Sequence, residues 1–124
     1  MENEFIRKTI VYKNHFWEFY NSQSLEVQTK IDWSINLVRV LKVIPSKYFE
    51  HLTGTDGLFE IRVQLNSNIY RIFCCFDEGN LVVLFNGFQK KSQKTPKNEI
   101  DRASKLKEEY FAEKKEFENY QKKN

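Results

Sequence analysis

From Leu58 to Leu65 the chain alternates apolar with polar positions: Phe59, Ile61, Val63 and Leu65 on one side, Glu60, Arg62 and Gln64 on the other. A period of two belongs to a strand with one face on a core and its opposite face carrying charge. Two more β-rich stretches follow, Ile69 to Asp77 and Asn80 to Phe88, separated by Asn66-Ser67-Asn68 and by Asp77-Glu78-Gly79-Asn80. Connections this short join only antiparallel neighbours, so the pattern predicts a three-stranded meander, with Gly79 free to take a positive φ. Cross-strand pairing then adds Arg71 to the face of Glu60 and Arg62.

On either side of the meander the period changes. Arg7 to Tyr12 is short and β-rich, which predicts a first strand at or near a sheet edge. His15 to Tyr20, after the possible cap Asn14, predicts a short helix with Phe16, Phe19 and Tyr20 on one side. Ser24 is a good N-cap for a second helix in which Val27, Ile31, Ile35 and Val38 recur at helical spacing, Trp33 and Leu37 widen the stripe, and Pro45 marks the end. Lys47 to Thr55 reads as a polar connection, with Lys47 and His51 as mobile candidates. After Thr95-Pro96 a last helix carries Ile100, Ala103, Leu106, Tyr110 and Phe117; beyond about Glu113 its apolar stripe thins, so that end frays or waits for a partner. The expectation is one α+β domain over residues 1–124, with its core in about 5–112. The element order is β-α-α-β-β-β-α, an antiparallel three-stranded meander plus an N-terminal strand, with the helices packed on one face of the sheet.

Composition narrows the choices. A chain of 124 residues has room for one core, and eleven Phe and six Tyr supply it. The formal charge of +3 says little by itself. Its distribution says more, because Lys90, Lys91, Lys94 and Lys97 follow the third meander strand with no acidic residue among them, whereas the tail mixes Lys with Glu. Cys74 and Cys75 are adjacent on a strand and face opposite ways, so they do not pair, and no Cys or His cluster has metal-ligand spacing. With no signal pattern in Met1 to Phe5 and no apolar run of membrane-spanning length, a soluble, reducing, cytoplasmic setting is the natural reading. His15 beside an aromatic cluster is read as structural.

The charged face is the candidate chemistry. Glu60, Arg62 and Arg71 on an open sheet face, with a lysine-rich loop at its end, suit a phosphodiester. The plain alternative is an exposed ion network and a solvated loop without further role.

Gly57-Leu58-Phe59-Glu60-Ile61-Arg62-Val63, Tyr70-Arg71-Ile72-Phe73, the run from Leu84 to Pro96 and Glu99-Ile100-x-x-Ala103 together resemble the RelE/HigB superfamily of toxins from type II toxin-antitoxin systems, in its phage-derived HigB-like branch. The resemblance follows the order of elements from about Arg7 to Tyr110 and is sharpest between Gly57 and Ala103. It implies a RelE-like domain acting as a ribosome-dependent messenger-RNA endonuclease without cofactor or metal, silenced by a cognate antitoxin that carries a helix-turn-helix domain. In such enzymes the ribose 2′-hydroxyl attacks the neighbouring phosphate. By the same resemblance Arg71 holds the scissile phosphate, and Glu60 and Arg62 occupy two alternating positions that are both lysine in RelE. Lys90, Lys91, Lys94 and Lys97 fall among the basic residues after the strand, as phosphate contacts, with Lys91 or Lys94 as the acid. The acidic Glu60 is a departure: a carboxylate is intrinsically a plausible base, whereas a lysine needs a depressed pKa. Tyr110 matches no catalytic tyrosine and is read as a helix-face residue. A second class remains open on the same scaffold, a non-catalytic interaction toxin like the ParE branch, whose members inhibit DNA gyrase.

Overall fold

A computed structural model describes residues 5–123, so Met1 to Glu4 of the N-terminal reading and Asn124 lie outside it. Along the chain run β1 (Lys8–Val11), α1 (His15–Asn21), α2 (Leu25–Val40), β2 (Phe49–His51), β3 (Phe59–Leu65), β4 (Asn68–Asp77), β5 (Leu81–Lys90) and α3 (Lys97–Lys123). The five strands form one sheet in the order β1-β5-β4-β3-β2. The meander is antiparallel, with Arg62 opposite Arg71 and Arg71 opposite Phe88, and β1 closes the far edge parallel to β5. Among the described residues no helix is long and apolar enough to cross a membrane.

The helices occupy both faces, which corrects the expectation that they share one. Phe16 and Phe19 of α1 and Val27, Ile31, Ile35 and Val38 of α2 pack on Ile61, Val63, Ile72, Val82 and Leu84. On the opposite face Ala103 and Leu106 of α3 pack on Phe73, Cys75, Val83, Phe85 and Phe88. The cause lies in β4 and β5, whose runs Ile72 to Phe76 and Leu81 to Phe85 are continuously apolar. Successive side chains point to opposite faces, so such strands need a cover on each.

Local chemistry fixes the remaining joints. The Ser24 side chain accepts a hydrogen bond from the Val27 amide and starts α2 as expected. The helix ends at Val40, well before Pro45, because the Arg7 guanidinium donates to the carbonyls of Val38, Leu41 and Lys42 at 3.0, 2.6 and 3.0 Å. A cation on those last carbonyls satisfies the helix end and its dipole together. Part of the segment read as a polar connection is the strand β2, paired with β3 through Glu50 opposite Glu60. At Gly87, opposite Ile72, a Cβ would fall inside the ring of Phe19, so the missing side chain is what lets α1 seat on β5.

Asp77, at the end of β4, anchors the middle of α3. Tyr110 Oη donates to its carboxylate at 2.7 Å and Lys114 Nζ at 2.9 and 3.1 Å. Burial alone would raise the Asp77 pKa; the hydrogen bonds from Lys114 and Tyr110 and the lysine charge outweigh it and hold the carboxyl below its ordinary range. A depressed folded-state pKa contributes stability that is present at neutral pH and lost as pH falls below about 3.9, the unfolded-chain value, and through the folded-state value. Asp77→Asn is expected to cost about 1.5–3 kcal/mol at pH 7, the range for hydrogen bonds to charged groups. Urea unfolding across pH should show that gap closing below pH 4; equal stabilities at pH 7 would remove the anchor.

Candidate functional site

The register of β2 to β5 places Glu50, Glu60, Arg62, Gln64, Ile69, Arg71, Phe88 and Lys90 on the sheet face that also carries α3. Glu60 stands between two cations. Its Oε2 lies 3.4 Å from Arg71 Nε and its Oε1 4.0 Å from Arg62 Nε. Arg62 turns its Nη1 to Glu50 Oε2 at 3.0 Å and donates to the Ser46 carbonyl at 3.4 Å. The result is an alternating chain of charge, Glu50, Arg62, Glu60, Arg71, laid diagonally over three strands.

The face is not open at its centre, contrary to the sequence reading. Glu60 and Arg71 are 7% and 6% exposed, while Arg62 and Glu50 stay in contact with solvent. Arg71 Nη1 donates to the Tyr70 carbonyl at 3.1 Å. Its Nε and Glu60 Oε2 are close enough for an ion pair but poorly aligned for a hydrogen bond, and both are buried without one. Burial is the larger influence on Arg71 and pulls the guanidinium below its usual pKa, against the pull of Glu60, with Arg62 adding to the lowering. A guanidinium stays charged at neutral pH even so. Arg71 is therefore a desolvated cation whose Nε faces Glu60 without a hydrogen bond, and a guanidinium in such a setting donates strongly to an oxyanion.

The lysines divide into two sets. Lys90 is the last residue of β5, two positions beyond Phe88 on the face of Arg71, because the strand runs two residues farther than the pattern predicts. Lys91 and Lys94 are exposed in the loop to α3, where the Ser92 hydroxyl donates to the Lys94 carbonyl at 3.0 Å. Lys97 opens α3, largely exposed, with Asp101 3.9 Å away. The buried Asn86 of β5 donates to the Glu99 carbonyl at 3.2 Å and its carboxylate at 3.1 Å, tying the start of α3 to the strand that feeds this loop. Tyr110 is engaged with Asp77 and is pushed up to about 12, first by burial and then by that hydrogen bond. Among the described residues no three His, Cys, Asp or Glu side chains gather as a metal site.

Sequence reasoning missed two parts of this region. Glu50 lies on a three-residue strand too short to show a pattern. Trp33, taken as part of the buried stripe of α2, is 43% exposed and lines a groove of about 510 Å³ with Lys30, Lys47, Tyr48, Arg62 and Arg71. Its signal was the flanking sequence, since Thr29 and Lys30, four and three residues earlier, mark that side of α2 as polar.

The family model described as Phage derived protein Gp49-like (DUF891) matches residues 18–108. The chain belongs to the Gp49-like family. The match runs from α1 into α3 and contains Glu50, Glu60, Arg62, Arg71, Lys90, Lys91, Lys94 and Lys97, while Tyr110 lies beyond it. Gp49-like proteins are a RelE-like toxin family of toxin-antitoxin systems, and a toxin of that kind has an antitoxin partner. A comparison with curated proteins gives no match.

The Glu60–Arg71 pair makes a stability prediction for this Gp49-like protein. Removing one partner of a buried ion pair strands the other, at a cost of about 3–5 kcal/mol, whereas replacing both with neutral groups of similar size is close to neutral. Arg71→Met should thus lower the denaturant midpoint markedly, and Glu60→Gln added to it should recover most of the loss. Additive effects of the two substitutions would mean that the side chains are not coupled.

Proposed function

We propose that this Gp49-like toxin belongs to the HigB-like branch and is a cytoplasmic endoribonuclease that cuts messenger RNA on the ribosome without a metal ion. The observation that carries the reading is the desolvated Arg71 guanidinium, imperfectly paired with Glu60 and set with Arg62 and Lys90 on one sheet face. A phosphate seated there would be bound by Arg71 and Arg62. The carboxylate of Glu60 would take the proton of the ribose 2′-hydroxyl as O2′ bonds to phosphorus. The bond from phosphorus to O5′ then breaks, with O5′ taking a proton from the ammonium of Lys91 or Lys94, which leaves a cyclic phosphate and a 5′-hydroxyl. The two guanidinium groups stabilise the added charge of the phosphorane. Lys90, Lys91, Lys94 and Lys97 hold flanking phosphates, a contribution that weakens with salt. The antitoxin, in this reading a helix-turn-helix protein, covers or distorts this basic face.

RNA ends mapped after a brief pulse of expression test the reading. Cuts should cluster inside translated frames for the natural chain and vanish for Arg71→Ala. In single-turnover cleavage the rate should fall by about two to three orders of magnitude, the scale for losing one preorganised charge-stabilising donor. Because Arg71→Ala strands Glu60, the double variant Glu60→Gln/Arg71→Met serves as a folded control. Normal cutting by either variant, folded by circular dichroism, would contradict the assignment.

A further inference from the structure

We propose that the groove at the open edge of β3 is a seat for one unstacked nucleobase of single-stranded RNA, the base adjoining the phosphate held at Arg71. The inference rests on the ribonuclease reading and adds a recognition element to it. Pairing of β3 with the segment of β2 ends where the Arg62 amide meets the Tyr48 carbonyl at 2.8 Å, and from Val63 onward the edge of β3 borders the groove. The half-exposed indole of Trp33 is held edge-on against Tyr48, with ring centroids 5.5 Å apart and planes at 81°. Lys30 Nζ stands 3.9 Å from the indole centroid and Lys47 Nζ 5.6 Å from that of Tyr48. Arg62 and Arg71 complete the lining, in which there is no carboxylate-bearing residue.

Each part has a counterpart in a nucleotide. The 43% exposed indole of Trp33, braced edge-on by Tyr48 and with Lys30 Nζ over one face, offers one aromatic plane, and every base has a π-face to lay on it. Lys30 and Lys47, which have no carboxylate beside them on the lining, add positive charge to Arg62 and Arg71, whose partners Glu50 and Glu60 lie off the groove, and so match the backbone charge that accompanies the base. Gln64 and Asn66, also on the lining, can hydrogen-bond a base edge. The same groove includes Arg71, so the strand whose phosphate reaches that arginine is the one whose base meets Trp33. Stacking is tolerant of base identity, and the seat gives affinity and register more than sequence choice.

The test compares a short 2′-O-methyl oligoadenylate, which cannot be cleaved, with a strand of the same length and backbone that carries abasic sites. Fluorescence anisotropy of each with the full chain should show the base-bearing strand bound about tenfold more tightly, within the range for one stacked base. Trp33→Ala should abolish that preference while leaving the abasic strand's affinity unchanged, and Trp33→Tyr should restore it. Equal binding of the two strands by the natural chain, with Arg71→Ala weakening both, would overturn the seat and leave the phosphate site standing. No binding of either strand would remove both. A Trp33→Ala protein that keeps its preference for the base-bearing strand, or that loses only its antitoxin, would make the groove something other than a base seat.

Discussion

The central strand β4 is buried from Tyr70 to Cys75, on both faces at once, and the rest of the architecture answers that constraint. One face of Ile72 and Cys74 requires α1 and α2; the other, with Phe73 and Cys75, requires α3. A strand with two covers has no inexpensive place for a charge, because desolvating an ion costs several kcal/mol even after relaxation. Yet Arg71 lies in that strand, flanked across the sheet by Arg62 and Phe88. Glu60 offsets the cost by lying alongside it. A pair that leaves Arg71 Nε and Glu60 Oε2 without hydrogen bonds does not offset it fully.

That shortfall separates the site from ordinary structural ion pairs. Asp77 shows the contrast in the same molecule: its carboxylate accepts from both Tyr110 and Lys114, and its work is to fasten α3. At Arg71 one donor is spent on the local Tyr70 carbonyl, and Nε faces Glu60 at 3.4 Å without a hydrogen bond. In the function proposed above, the neighbouring lysines and the groove at the β3 edge serve the same single strand as Arg71, the lysines by neutralising flanking phosphates and the groove by receiving a base.

Much of this was legible in the residues because it depends on local rules. The alternation from Phe59 to Leu65, the short turns and the Ser24 cap each determine their own element, and register follows from turn length, which is why Glu60, Arg62 and Arg71 could be placed on one face without coordinates. The side taken by α3 depends instead on how β4 and β5 share their apolar load. The unbroken run from Ile72 to Phe76 held that information, but alternation on β3 alone hid it. Burial of Arg71 was equally out of reach, since exposure is set by neighbours distant in sequence. The end of α2 turned on Arg7, more than thirty residues away, and Trp33 looked like core because helical spacing cannot tell a covered stripe from an uncovered edge.

The central claim of the proposed function is that the Arg71 guanidinium seats a phosphate, and the resonance of its Nε–H group, which faces Glu60, reports on it most directly. In a titration of the full chain with a non-cleavable 2′-O-methyl strand, followed by ¹H–¹⁵N correlation of the arginine side chains, the Arg71 signal should move downfield and saturate with the binding curve as a charge-assisted hydrogen bond forms. An Arg71 Nε–H signal that stays in place while the strand binds to saturation would contradict the account.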